Sequence, residues 1–262
     1  MINIDKQRHL NEVRQALINI GIEDHQLILV VMSYDELKKY GCFADEYIDL
    51  LFDVAGKDKT IIMNSFSWNF CQTKEFDINK TPGEVGLSSE ILRRTPGVIR
   101  SPHPLFSLIG KGPLAQEVLR HDGPTCWGDG TPAEEIIKHN ALCISIGKEF
   151  PRAITILHSF EEWKKVPYRH FKTFSGKVNF GKGFVDYSTD FYVRNDQSIK
   201  YSWKPAVDVL LKRGLVRGSS FDLPIRGVLA KDLQRVGYQL LDDNPYVFVV
   251  EDKDGKKDDR IQ

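Results

Sequence analysis

Three short, unbroken apolar runs do most to limit what this chain can become: Gln26-Leu27-Ile28-Leu29-Val30-Val31-Met32, Thr60-Ile61-Ile62-Met63 and Leu142-Cys143-Ile144-Ser145-Ile146-Gly147. Each is rich in branched residues and does not alternate with polar ones, which suits a strand covered on both faces, as in a parallel sheet. Helical patterns lie between them. Leu10, Val13, Leu17 and Ile20 recur at helical spacing between Ile4 and Ile20, Gly21 ends that helix, and a second helix is expected from about Phe43 to Ala55. Strands alternating with helices predict an α/β fold, a three-layer α/β/α arrangement with a central, largely parallel sheet.

The stretch from Ser65 to Asn140 holds most of the Gly, Pro, Ser and His punctuation. It is too long for a simple connection, and short helices are predicted within it at Leu87 to Arg94, Pro113 to Arg120 and Thr131 to Lys138. Long connections with apolar anchors are usually functional, so binding chemistry is expected there. From Phe171 to Asn195, aromatic and β-branched alternation broken by Gly176, Gly181 and Gly183 reads as an antiparallel hairpin, a small β-rich region inserted over 170–195. A helix at Lys204 to Lys212, strands near Leu215 to Gly218 and Pro224 to Val228, and a helix at Ala230 to Leu241 complete a single domain over 1–250. The charged tail 251–262 is expected to be disordered.

Lys and Arg number 36 and so do Asp and Glu, giving no excess of positive charge to neutralise a phosphate backbone and arguing against a nucleic-acid binder. The N-terminus lacks a signal-peptide pattern and no apolar run approaches the roughly 20 residues that span a bilayer, so a cytoplasmic protein without membrane contact is expected. Cys42, Cys71, Cys126 and Cys143 stand singly, which predicts reduced thiols and no structural zinc site. No spaced ligand pair supports a metal built on His121 and His158. Nucleophile-elbow, Walker and dinucleotide-binding signatures are absent.

Three constellations carry chemistry. On a helix, His158 shares a face with Glu161 and Glu162, either as a general base whose tautomer a carboxylate fixes or as a solvated surface pair. In Arg100-Ser101-Pro102-His103-Pro104-Leu105-Phe106-Ser107, two prolines stiffen a loop bearing a cation and hydroxyls, which suits either a phosphorylated cofactor or a rigid turn. In Trp127-Gly128-Asp129-Gly130-Thr131-Pro132, a glycine-rich turn enters a helix, with Thr131 a good N-cap and Pro132 a good first residue.

Taken in order, these pieces resemble the aminoglycoside 3-N-acetyltransferase family. The matching series runs through Phe76-Asp77, Thr81-Pro82, Gly86-Leu87, Glu90, Arg94, Pro96-Gly97-Val98, Arg100-Ser101, His103-Pro104 and Ser107. It continues at Gly128, Thr131-Pro132, the Thr155/His158/Glu161 pattern and Pro167-Tyr168-Arg169. The resemblance implies acyl transfer from acetyl-CoA to an amine, with no metal. It implies His158 as base and Glu161 as its support, and Ser33, Arg100, Ser101, His103 and Ser107 along the CoA. Substrate contacts are implied at Glu90, Trp68, Asp77 and Arg169.

The sequence departs from the family after the first strand, where Val31-Met32-Ser33-Tyr34 stands in place of His-Ser-Ser, and at the Phe150-Pro151-Arg152 loop. That departure, the neutral charge balance and the presence of Tyr187, Tyr192, Trp203, Arg217 and Arg226 favour a nucleotide-linked amino sugar as acceptor. An aminoglycoside antibiotic is the alternative, and a non-catalytic CoA- or sugar-binding member is a further one. Expected partners are small molecules, with homo-oligomerisation left open.

Overall fold

The computed structural model describes residues 4–147, 150, 155–219 and 224–250. The charged tail at 251–262 and the Pro151-Arg152 part of the divergent loop lie outside the described residues. Helix α1 (Ile4–Asn19) is followed by Gly21, whose φ of 76° is the left-handed conformation that favours glycine. The chain then forms β1 (Leu27–Met32), α2 (Tyr34–Leu37), α3 (Ala44–Ala55) and β2 (Thr60–Asn64). The long middle stretch folds into α4 (Phe70–Thr73), β3 (Glu75–Asp77), α5 (Leu87–Arg93), β4 (Ile99–Arg100), β5 (Leu108–Lys111), α6 (Ala115–Val118) and α7 (Pro132–Lys138). After β6 (Leu142–Ile146) come α8 (Leu157–Trp163), β7 (Arg169–Asn179), β8 (Phe184–Arg194), β9 (Lys200–Tyr201) and α9 (Lys204–Lys212). Strands β10 (Arg217–Ser219) and β11 (Ile225–Leu229), helix α10 (Ala230–Asp243) and β12 (Val249–Val250) close the described chain. No helix among the described residues is long and apolar enough to cross a membrane.

The main sheet has seven strands in the order β10-β11-β6-β1-β2-β5-β4. The three apolar runs are its centre, with β1 parallel to both β2 and β6, and Leu29 opposite Ile62 and Cys143. Their unbroken hydrophobicity has the expected cause. Leu27 and Leu29 enter one core with Ile136 of α7, Phe160 of α8 and Val236 of α10, whereas Ile28, Val30 and Met32 enter the other with Leu17 of α1 and Leu51 of α3. Both faces are covered, which makes three layers.

Within this sheet the parallel register is confined to these three strands. On both flanks the pairs β6–β11, β11–β10, β2–β5 and β5–β4 are antiparallel, so the sheet is mixed. Strand β5 gave no sequence signal because it is short and interrupted by Gly110. A Cβ on that residue would sit 2.5 Å from Ile62 Cγ2 and 2.9 Å from the Ile61 carbonyl oxygen, so only glycine allows the close approach.

The expected hairpin forms a second sheet, β3-β7-β8, in register from Arg169 opposite Arg194 to Asn179 opposite Phe184. A bridge between Thr125 and Asp190 ties it to the glycine-rich loop. Because β1, β2 and β6 run parallel, their C-terminal ends at Met32, Asn64 and Ile146 share one edge, where open α/β sheets bind ligands. At that edge Thr155 Oγ1 donates to Asn64 Oδ1 at 3.3 Å, anchoring the entry to α8 beside the end of β2.

Candidate active site

Helix α8 carries His158 and Glu161 one turn apart, and their side chains meet. His158 Nδ1 lies 2.8 Å from Glu161 Oε2. A carboxylate only accepts, so Nδ1 carries the proton and Nε2 is left with its lone pair. Nε2 has no hydrogen-bond partner among the described residues. Glu161 is fully buried. Its Oε1 accepts from the Tyr168 hydroxyl at 2.7 Å and its Oε2 from an Arg169 N–H at 2.9 Å. The imidazole is ringed by Trp127, Tyr201 and Trp203 at centroid distances of 6.1, 5.6 and 5.8 Å.

Burial in this aromatic setting lowers the His158 pKa below its ordinary value, and the Glu161 contact, which pulls upward, does not reverse the shift. Burial pushes Glu161 the other way, toward protonation. The bond from His158 and the charge of Arg169 outweigh it, so the carboxyl is held below its usual range. The pair is therefore a neutral imidazole against an ionised carboxylate.

The glycine-rich loop closes one side of the site. Glu162 Oε1 accepts from Thr125 Oγ1 at 2.6 Å, and a side chain at Gly128 would collide with that carboxylate. Burial, with Asp129 and Asp190 nearby, raises Glu162 to about 6. Its Oε2 and the Trp127 indole N–H are buried without a partner among the described residues. Thr131 precedes Pro132 as a cap would, but its hydroxyl donates to the Gly128 carbonyl instead.

The cation and hydroxyls expected along the cofactor are turned inward. Arg100 is 8% exposed, and its donors reach Ser107 Oγ, the Ile78, Thr81 and Ser65 carbonyls and Ser67 Oγ, while its plane covers the Phe76 ring. A guanidinium has five N–H groups, and these five bonds leave none for a phosphate. Ser107 donates onward to the Ser65 carbonyl, and Ser101 Oγ accepts from the Leu108 N–H. His103 is wholly buried, accepting at Nδ1 from the Leu105 and Phe106 N–H groups and donating from Nε2 to Thr189. The Pro-stiffened segment is thus held as a rigid turn, with Arg100, Ser101, His103 and Ser107 each bonded within the protein. Ser33 stands at the C-terminal end of β1, where its hydroxyl makes no cap bond.

The His103 ring lies 4.5 Å from that of His121. Burial holds His103 well below the ordinary histidine value and brings His121 down to about 4, against the opposing pull of the Thr125 carbonyl and Asp122. Above pH 6.5 both folded and unfolded forms are neutral at these positions and the stability is fully present. As the pH falls from 6.5 toward 4, the unfolded chain takes up protons that the folded one refuses. Stability should therefore fall over that window, by on the order of 3 kcal/mol for His121 alone. Thermal melting at graded pH checks this: the decline should be smaller in His121→Gln, and an identical decline in both proteins would remove His121 as its source.

Of the residues expected at the substrate, Arg169 joins His158. Glu90 does not: burial would raise it, but bonds from Arg93, the Gly83 N–H and Arg94 hold it down near 2 in a local ion cluster. Asp77 caps its own turn, accepting from the Asn79 and Lys80 N–H groups and from Asn179. Trp68 packs on Phe66, which in turn packs on Trp127. Tyr187 packs on Phe180, and Arg217 bonds the Ile20 carbonyl, before β1 begins. Of the proposed nucleotide-reading residues, Trp203 packs against the His158 ring. Among the described residues, the cluster of three metal-type donors is Glu117, Glu135 and His139, which includes neither His121 nor His158.

Residues 29–236 match the sequence model of the family described as aminoglycoside 3-N-acetyltransferase. The chain belongs to that family. It is 28% identical over 198 residues to aminoglycoside N(3)-acetyltransferase III of a Salmonella species, covering 68% of each chain. To aminoglycoside N(3)-acetyltransferase IX of Micromonospora chalcea it is 23% identical over 189 residues, covering 64% of this chain and 66% of the relative. It therefore spans about two thirds of the length of these curated relatives. The fold is shared with aminoglycoside acetyltransferase AAC(3)-IVa, solved as a mutant in complex with a gentamicin, at a TM-score of 0.77 and 21% identity over 91% of this chain and 90% of that one. It is likewise shared with AAC-IIIb, solved with CoASH, at a TM-score of 0.75 and 18% identity over 89% and 96%. Within this family member the sequence series located the His158–Glu161 pair. It gave no role to Tyr168, although Tyr168 sits inside the Pro167-Tyr168-Arg169 match, and none to Tyr201.

Proposed function

We propose that this protein transfers the acetyl group of acetyl-CoA to an amine of an aminoglycoside-type amino sugar, with His158 as general base. The observation that carries this reading is the His158–Glu161 pair: a neutral imidazole whose Nδ1 is committed to a buried carboxylate and whose Nε2 has no partner among the described residues. An ammonium group attacks a thioester only after releasing one proton to solvent, and the neutral amine then sheds a second proton on becoming an amide. Nε2 accepts that proton as the nitrogen bonds to the carbonyl carbon, Glu161 stabilises the imidazolium, and the carbon–sulfur bond breaks as the tetrahedral intermediate collapses. The imidazolium then returns its proton to the departing thiolate, so the residue is regenerated. The Ser33 hydroxyl, at the C-terminal edge of the parallel strands, is the retained candidate for a CoA contact.

An aminoglycoside is preferred over a nucleotide-linked sugar for two reasons. Among the described residues, Tyr187 packs on Phe180 and Arg217 bonds the Ile20 carbonyl, contacts that do not assemble a stacking and pyrophosphate-pairing site beside His158. Glu162, Asp129 and Asp190 do influence one another beside the glycine-rich loop, giving a local negative field that suits an acceptor with several ammonium groups. The names of the curated relatives agree. Steady-state kinetics with sisomicin, gentamicin and a UDP-linked amino sugar under identical conditions test the choice. The expected result is a kcat/KM higher for the antibiotics; a clear preference for the nucleotide sugar would reverse it.

A further inference from the structure

The Arg169 guanidinium is 4% exposed; both terminal nitrogens are engaged, and its Nε–H is buried with no hydrogen-bond partner among the described residues. One terminal nitrogen lies 2.9 Å from Glu161 Oε2, the same oxygen that faces His158 Nδ1, and 3.4 Å from Nδ1 itself; the other donates to the Tyr192 carbonyl at 2.9 Å. We propose that Arg169 is a positioning residue for His158, acting through the Glu161 oxygen that the two side chains share, and not a contact for the substrate. This role rests on His158 being the base, as read above. A cation bound to that oxygen keeps Glu161 ionised and fixes its plane, so Nδ1 stays the protonated nitrogen and Nε2 the basic one. The same cation faces the imidazole and opposes its protonation, so the base is free when an amine arrives.

The groups packed around the ring support this assignment. From its own helix comes Glu161; from β7 and the residue before it come Arg169 and Tyr168, the latter bonding Glu161 Oε1. From β8 comes Arg194, whose charge also opposes protonation of His158. From β9 and the segment after it come Tyr201, whose ring lies 5.6 Å from the Arg169 guanidinium and 5.7 Å from that of Arg194, and the uncharged Trp203. Glu161 is the anion in direct contact with the ring, and Arg169 is the cation bonded to that anion.

NMR titration of the His158 imidazole in the full-length protein, without substrate, is the test. In Arg169→Gln, which keeps donors but loses the charge, the titration midpoint should rise by about one pH unit. In Arg169→Lys it should return close to wild type. The KM for the acceptor amine and for acetyl-CoA should stay within about twofold of wild type in both variants. Should Arg169→Gln fail to fold, Tyr168→Phe supplies the second measurement, since losing its bond to Glu161 leaves the carboxylate more dependent on His158 and should also raise the midpoint. An unchanged midpoint together with a raised amine KM would overturn the proposal and return Arg169 to substrate binding. A wild-type protein that acetylates no amine would remove the function proposed above but leave this titration to be judged on its own.

Discussion

Replacing His158 with alanine should lower kcat by roughly 10² to 10⁴-fold, the usual worth of a positioned general base. The loss should fall on turnover and not on binding. The imidazole lies under Trp127, Tyr201 and Trp203, and its one hydrogen-bonded partner carboxylate, Glu161, remains held by Tyr168 and Arg169 when the ring is removed. Acetyl-CoA affinity measured by calorimetry should be close to wild type. Glu161→Gln should lose less than His158→Ala, because it weakens support for the imidazolium without removing the proton acceptor. Near-normal turnover in His158→Ala would end the assignment of the base.

The second large effect is on stability. Arg100→Ala should destabilise the fold by about 3 to 5 kcal/mol, since it leaves the Thr81 carbonyl and Ser67 Oγ without their buried donor and the Ser65 carbonyl with Ser107 Oγ as its remaining one. For a chain of this length that corresponds to a drop in Tm of about 5 to 10 °C. Arg100→Lys should recover little of it, because one ammonium cannot reach acceptors contributed by the end of β2, the turn after β3 and the start of β5. Calorimetric melting of the variants checks this. A Tm within about 2 °C of wild type, coupled with weakened CoA binding, would instead make Arg100 a phosphate contact.

The contrast between His158 and Arg100 shows what can be read from such a sequence. The His158–Glu161 pair was legible because both partners lie within one helical turn, so spacing alone brings them together. Arg100 sits in an equally suggestive local setting, yet its five acceptors come from residues 65 to 107, and no spacing rule announces that distant carbonyls will close around it. The aromatic ring around the imidazole was hidden for the same reason: Tyr201 and Trp203 arrive from beyond the β7–β8 hairpin. In the fold, β1, β2 and β6 announced themselves through two-sided burial. Strands β4 and β5 did not, being two and four residues long and placed where antiparallel pairing needs no crossover helix. The composition carries no acidic surplus, yet Asp129 and Asp190 both act on Glu162 where the hairpin bridges to Thr125, an arrangement no local spacing announces.

The measurement that bears most directly on the whole account is acetyl transfer itself, followed by thiol release and by NMR of the product. The purified protein, given acetyl-CoA and sisomicin, should release CoA in step with the appearance of a sisomicin acetylated on nitrogen, and should release almost none when the amine is omitted or when His158 is alanine. Amine-independent release, or no N-acetylated product over many hours with fresh enzyme, would contradict it.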